Sequence, residues 1–364
     1  MVAGAMPCRR PHADVMDELK GRLRRIRDVV PPSTPVVYID YPVHGNVGDL
    51  MIHAGADAFL EDHDYHIVGR FSVHDLTSAS ENKLRKHIHQ VDRCVAKGAT
   101  IILHGGGNVG DIWPHHQRLR EILIRRYSDA RIVFFPQSVH FNDRAARAES
   151  AAILRRHRNI HFFVRDEESL EFASKECNCP AETLPDMAHH LWRHRMFSSS
   201  AKPPIYGTLL QRRRDKETAL ALPPDAFDWE DLRGVIDRVA QKVLVHWYRI
   251  DHPLSDVIPN WWPWYKLRDH LIRRAAERFS RYETIETDRL HGMILGALLG
   301  KQIRFSDNCY GKLSRYYGLW MAESDRIAPA GATGSPAQGQ VAQGDGISWR
   351  PRHVVSDPSE LRHS

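Results

Sequence analysis

The stretch PVVYIDYPVHGNVGDLMIHAG, Pro35 to Gly55, decides the fold class. PVVYID is a β-branched and aromatic run of strand length. Gly45, Asn46 and Gly48 then permit a tight turn with close backbone approach, and Asp49 opens a helix. Outward from it, ATIILHGGG, RIVFFPQS and HFFVRD have the same strand character. Helical segments such as NKLRKHIHQVDRCVAKG and QRLREILIRRYSDA separate them. Strands alternating with helices make an α/β protein with a parallel, doubly wound, Rossmann-like sheet.

The pattern restarts after WRHRMFSSSAKPP, a Ser/Lys/Pro stretch that reads as a linker. Beyond it IYGTLL, KVLVHW, YETIET and KQIRFSD resemble strands, alternating with helices such as WYKLRDHLIRRAAERF. The expectation is two Rossmann-like domains, 35–192 and 205–326, joined by a linker over 193–204. A basic helix and linker, 1–34, precede them. An Ala/Gly/Pro/Gln-rich segment, 327–364, follows and reads as a disordered tail. Such a pair places a ligand cleft between the domains, at the carboxyl ends of the strands.

The bulk composition narrows the partners. The 364 residues are 42% apolar and 26% charged, with a net charge of +6, which suits anionic ligands. No aromatic stripe interleaves with basic residues, so nucleic acid is not expected. No apolar run is long enough to span a membrane, and no apolar region follows the basic start of the chain. A cytoplasmic location is expected, as are reduced thiols for the five cysteines. No metal is expected, because His189, His190 and His194 lack the spacing of a strong site. No cofactor is implied.

The candidate site residues fall at strand ends. Free N–H groups at the helix opened by GNVGD attract phosphate or carboxylate, the alternative being that Asn46 and Asp49 only shape a turn and a cap. ILHGGGNVGDIW supplies Gly106, Gly107 and Asn108 and repeats the tetrapeptide NVGD, so two such loops are expected to converge on one anion. FFPQS ends a strand with Gln137 and Ser138. FVRDEES ends another with Arg165, suited to holding an anion bidentately, or else paired with Asp166 or Glu168 on a solvated loop. Asp186 and His189 lie in LPDMAHHLW. LLQRRRDKE offers three arginines, either for a diphosphate or as a solvated charge run. WWPWY, Trp261 to Tyr265, reads as core packing or as a sugar-stacking or membrane-interface surface. TDRLHGMILGALLGK sets Arg289 and His291 at the lip of a buried helix.

Taken together, GNVGD, LHGGGNVGD, FFPQS, FVRDEES, LPDMA, the RxDxE of Arg213, Asp215 and Glu217, TDRLHG and DNCYGKLSRYY resemble the polysaccharide pyruvyl transferase family over roughly Val36 to Trp320. The resemblance implies a GT-B-like fold and transfer of pyruvate from phosphoenolpyruvate to a sugar as a cyclic ketal. It implies catalytic or donor-binding roles for Asp49, Arg165, Arg289 and His291. The acceptor would be a sugar of an exopolysaccharide or cell-surface glycan precursor, carried on a lipid at the inner face of the membrane. The basic N-terminal helix and the tryptophans are then expected to hold the enzyme at that surface. A GT-B glycosyltransferase using a nucleotide-sugar donor is the main alternative. A non-enzymatic glycan-binding module built on WWPWY is a third reading.

Overall fold

The computed structural model of the chain describes residues 9–200, 203–214, 223–250, 258–259, 261–307 and 311–331. The first sheet contains β1 (Val36–Tyr41), β2 (Ile67–Ser72), β3 (Thr100–Leu103), β4 (Gly106–Gly110), β5 (Ile132–His140), β6 (Ile160–Val164) and β7 (Ala181–Thr183). Its order is β2-β1-β3-β5-β6-β7, with β4 also paired to β5, and every pairing is parallel. The second sheet contains β8 (Tyr206–Gln211), β9 (Tyr282–Thr287), β10 (Gln302–Phe305) and β11 (Ile327–Pro329), parallel and in chain order.

Helices connect these strands as a Rossmann-like α/β fold requires. α1 (His12–Arg22) and α2 (Ile26–Val29) precede β1, and α3 (Val47–Asp62) joins β1 to β2. α4 (Val73–Thr77) and α5 (Glu81–Ala96) lead to β3, while α6 (Pro114–Arg126), α7 (Arg144–Arg156) and α8 (Glu167–Glu171) follow β4, β5 and β6. α9 (Val235–Arg249) and α10 (Trp261–Ser280) lie between β8 and β9. α11 (Leu290–Leu298) and α12 (Lys312–Trp320) flank β10.

The core has two parts. One face of the first sheet packs Val37, Ile101 and Phe134 against α5, α6 and α7. The other face packs Tyr38, Ile102 and Phe135 into a cluster that continues through α3, α10 and α11 to the second sheet. α3 is largely apolar around its circumference and is buried from Val47 to Leu60 apart from the half-buried Asp49. At its centre a Cβ on Gly55 would sit 2.1 Å from the Met187 carbonyl oxygen, so only glycine lets the 187–191 turn approach. Both sheets belong to one compact unit, Met1–Ala330.

α1 packs Val15, Met16 and Leu19 into the core. Its start is clamped to the far end of the fold, where His12 Nε2 lies 2.8 Å from the Ala297 carbonyl oxygen and Nδ1 lies 2.8 Å from Ser324 Oγ. Within 193–204, Arg195–Ser200 forms a 3₁₀ turn, and Ala201 and Lys202 lie outside the described residues.

Two expectations change, and one repeated motif folds differently from its first copy. KVLVHW is not a strand but part of α9, which buries Asp237 and Tyr248 and leaves Val235, Ile236 and Val239 exposed. A six-residue β-branched window hides the longer helical period. The second GNVGD does not open a helix; Gly106–Gly110 runs as β4, and the next helix waits for Pro114. Ile327–Pro329 is β11, paired to β10, whereas the remainder of the expected tail, 332–364, lies outside the described residues.

Candidate functional site

The order of the first sheet reverses between β1 and β3, and the crevice outside their carboxyl ends is where sheets of this kind bind ligands. β1 closes with Asp40 at φ 74°, a left-handed conformation costly for a residue with a Cβ. Its buried carboxylate accepts from Arg120 Nη2 at 2.6 Å and lies 2.6 Å from His116 Nδ1. Burial pushes this carboxyl up, but the His116 and Arg120 charges outweigh it and hold the pKa below its ordinary value. Arg120 also donates to the Asn108 carbonyl at 2.7 Å and to Asn108 Oδ1 at 2.6 Å. A buried guanidinium thereby ties the end of β1 to β4.

The first GNVGD caps α3. Asn46 Oδ1 accepts from the Gly48 N–H at 3.1 Å, and Asn46 Nδ2 donates to Asp49 Oδ2 at 2.9 Å. His44 Nε2 lies 3.6 Å from the same Asp49 oxygen. Gly48 carries the contact that unites the site: a Cβ there would sit 2.6 Å from His291 Nδ1, so the imidazole rests on the glycine backbone. On its other side His291 Nε2 lies 3.4 Å from Asp186 Oδ2.

Asp186 is fully buried and also accepts from Arg165 Nη1 and from the Ala188 N–H at 2.9 Å, and so anchors both the guanidinium and the imidazole. Burial pushes its carboxyl up. Against that, the Arg165 guanidinium, the hydrogen bond and charge of His291 and the Ala188 N–H together hold it well below the usual carboxylate range. Arg165 is itself buried and donates through Nη2 to Ser138 Oγ at 3.1 Å. Ser138 donates onward to Asp166 at 2.6 Å. The pairing of Arg165 with Asp166 or Glu168 considered above does not occur: Asp166 caps α8, and Glu168 pairs with Arg315 at 2.7 Å. Removing either member of the Arg165–Asp186 pair would strand a buried charge, at a cost of about 3–5 kcal/mol.

α12 completes the arrangement from the second half. Tyr316 Oη accepts from the Asp186 N–H at 2.9 Å, and Trp320 Nε1 donates to the Arg165 carbonyl at 2.8 Å. A Cβ on Gly107 would lie 3.1 Å from Lys312 Nζ and 3.2 Å from Arg165 Nη2. Two cations therefore flank a position left empty by a missing side chain. A small cleft opens there, lined by Gly107, Ser138, Asp166, Leu290, Lys312 and Arg315.

Not all the expected residues meet at this point. Among the described residues Arg289 turns to the 3₁₀ turn Trp229–Leu232, where Nε and Nη2 both donate to its capping residue Asp228. Gln137 is buried and donates to the His104 carbonyl, two residues ahead of Gly106, which has φ 127°. His104 lies 2.6 Å from the Tyr38 hydroxyl, and burial pushes its pKa down to about 4. The arginine run is not a free charge patch: Arg212 pairs with Glu286, and Arg214 with Asp231 at 2.7 Å. Asp215 and Glu217 of the RxDxE pattern, like Asn308 to Tyr310, lie outside the described residues. In WWPWY, Trp264 and Tyr265 are core residues, Trp264 donating to the Pro42 carbonyl at 2.7 Å, while Trp262 is exposed. Among the described residues no three His, Cys, Asp or Glu side chains converge on a metal-sized point.

The sequence gives direct signals for Gly48, Arg165 and His291 but underplays Asp186, Lys312 and Tyr316. Those three stand in the LPDMA and GKLSRYY segments, whose regular spacing alone assigns them no partner.

The family model for polysaccharide pyruvyl transferase matches residues 46–309, which includes Gly48, Gly107, Arg165, Asp186 and His291 and leaves out β1 and α12. The chain belongs to that family. It is an enzyme of the pyruvyl transferase class. It is 32% identical over 311 residues to "Putative pyruvyl transferase EpsO" of Bacillus subtilis (strain 168), covering 84% of this chain and 91% of that protein. It is 26% identical over 292 residues to "Pyruvyl transferase 1" of Schizosaccharomyces pombe, covering 79% of this chain and 69% of that protein. The crystal structure of an uncharacterized protein from Klebsiella pneumoniae superposes with a TM-score of 0.58 at 16% identity, over 86% of this chain and 98% of that one. That likeness shows a shared fold.

Proposed function

We propose that this pyruvyl transferase takes its pyruvate from phosphoenolpyruvate and forms a cyclic ketal on a sugar of an exopolysaccharide or cell-surface glycan precursor. The observation that carries the reading is the contact of His291 with both Gly48 and Asp186, the latter shared with Arg165. Four separate sequence motifs thereby meet around one proton-transfer group and one guanidinium. The two sheets would form the two halves of a GT-B-like arrangement, with the reaction at the carboxyl edge of the first.

Phosphoenolpyruvate brings a phosphate and a carboxylate, which need cations and N–H donors. Arg165 and Lys312 flank the Gly107 position and supply the charge. Ser138 lines the cleft beside it, Asn46 and Gly48 form the cap of α3 on which His291 rests, and Gly106, Asn108 and Gln137 brace the β4 turn from behind. His291 donates a proton to C3 of the enol, making a methyl group and leaving C2 electrophilic. The first sugar hydroxyl adds to C2 as Asp49 removes its proton. The C2–O bond to phosphate then breaks, and a second hydroxyl closes the ring with loss of its own proton. Asp186 keeps the imidazole oriented, as buried carboxylates do for catalytic histidines. Arg289, on its Asp228 platform, sets the start of the helix that carries His291. No cofactor is required by these steps. The enzyme would work in the cytoplasm, on a lipid-linked precursor at the inner membrane face.

The test combines binding and product mass. Phosphoenolpyruvate should raise the melting temperature of the purified protein, whereas nucleotide sugars should not. Incubation with the glycan precursor should release phosphate and add the mass of pyruvate less one water. His291→Ala should fold and lose at least about a hundredfold in rate. Stabilisation by a nucleotide sugar alone would favour glycosyl transfer, and a His291→Ala protein with the wild-type rate would remove the acid role.

A further inference from the structure

α9 carries an apolar surface that stands exposed among the described residues. Val235, Ile236, Val239 and Val243 are 75%, 83%, 54% and 58% exposed. At 3.6 residues per turn they occupy one arc of about 100°, and Arg238, Lys242 and Arg249 fall on the arc beside it. All three basic residues are exposed. No exposed position of the helix is acidic, since Asp237 is buried and paired with Arg274. The opposite side is fixed to the first half of the molecule, where the Tyr248 hydroxyl lies 2.9 Å from that of Tyr41.

We propose that this face of α9 docks on an anionic lipid bilayer. A surface-seated helix of this kind buries an apolar stripe at the headgroup boundary while flanking cations meet the negative headgroups. A second copy of the chain fits poorly, because a two-fold contact across this stripe would set its basic arc against a like-charged neighbour. The helix also begins beside the site. Arg233, two residues before Val235, places Nη1 2.5 Å from where a Cβ on Gly45 would stand, directly on the GNVGD turn. A bilayer on α9 thus lies next to the loop that holds Asp49. The docking face is α9, rather than α1, whose apolar side is already spent on the core. The inference concerns a surface and stands apart from the choice of donor.

The experiment is co-sedimentation of the full chain with vesicles of phosphatidylcholine alone and of phosphatidylcholine mixed equally with phosphatidylglycerol. The wild type should partition at least about tenfold more strongly to the anionic vesicles and be released as salt is raised. Ile236→Ser with Val239→Ser, and separately Arg238→Gln with Lys242→Gln, should each lower that partitioning about tenfold. Both pairs are on the surface, so the melting temperature and phosphoenolpyruvate-dependent stabilisation should stay at wild-type values. Absence of wild-type binding at low salt, or equal binding by either double variant, overturns the proposal. So does a wild-type dimer in sedimentation velocity that Ile236→Ser with Val239→Ser converts to a monomer.

Discussion

The tetrapeptide Asn-Val-Gly-Asp occurs twice, at Asn46–Asp49 and Asn108–Asp111, and folds in two different ways. The first is the cap and opening turn of α3; the second is extended in β4 and pairs with β5. Their surroundings decide the outcome. Asp49 is followed by a long helix-forming run, LMIHAGADAFL, whereas Asp111 is followed by Ile-Trp-Pro, which restrains Trp113 and delays the helix until Pro114. The side chains diverge accordingly. Asn46 accepts from an N–H of its own turn, while Asn108 accepts from the distant Arg120. Asp49 stays beside His44 and Asn46, but Asp111 accepts from the Asn142 and Asp143 N–H groups, each at 2.8 Å at its nearest, and pins the loop before α7. One copy is part of the site's surface; the other is a strut behind it.

Substitution of the two glycines should break the comparison most sharply. Gly110 has φ 134°, and a Cβ there would stand 1.7 Å from the His140 carbonyl oxygen, a backbone atom that cannot yield. Gly110→Ala should therefore cost at least about 4 kcal/mol and leave little folded protein, read by circular dichroism and denaturant titration. His104, just ahead of the second copy, links stability to pH. Its folded pKa of about 4 lies below the ordinary 6.5, so the unfolded chain binds the proton more readily. Stability should then be full above 6.5 and decline as pH falls towards 4, by roughly 3 kcal/mol from this group, in urea melts at successive pH values. His104→Phe should flatten that decline.

Gly48→Ala should behave in the opposite way to Gly110→Ala. The added methyl meets the His291 ring, which can swing aside, and the His291 Cβ at 2.9 Å, which can yield only by a shift of a few tenths of an ångström between α3 and α11, so the protein should fold with a modestly lowered melting temperature. Displacing that ring should lower turnover about a hundredfold in the phosphate-release assay. Asn46→Ala should have the smallest effect, about 1 kcal/mol, the value of a lost helix cap. Equal destabilisation by the two glycine variants would mean that the two tetrapeptides serve the same structural purpose.

Much of this was legible in the sequence because strand-length apolar runs precede each motif. β1, β3, β5 and β6, and β8, β9 and β10 after them, all follow that rule. Three things were not legible. The helical period of α9 was masked by its Val-Leu-Val run. The conformation of the second NVGD depended on pairing with β5, a contact distant in sequence. The partners of the two arginines were tertiary facts: Arg165 found Asp186 rather than its neighbours, and Arg289 found Asp228, sixty-one positions away. A motif names the residue types, but only packing shows which charges end up together.

The central claim is that the space above Gly107, between Lys312 and Arg165, receives the donor anion. Gly107 is exposed, and its missing Cβ is bounded only by the tips of those two side chains. Calorimetric titration of phosphoenolpyruvate into the wild type and into Gly107→Leu tests it directly. The account predicts that the leucine, filling that space, weakens binding at least about tenfold with no loss of thermal stability. Undiminished affinity in a folded Gly107→Leu protein would contradict it.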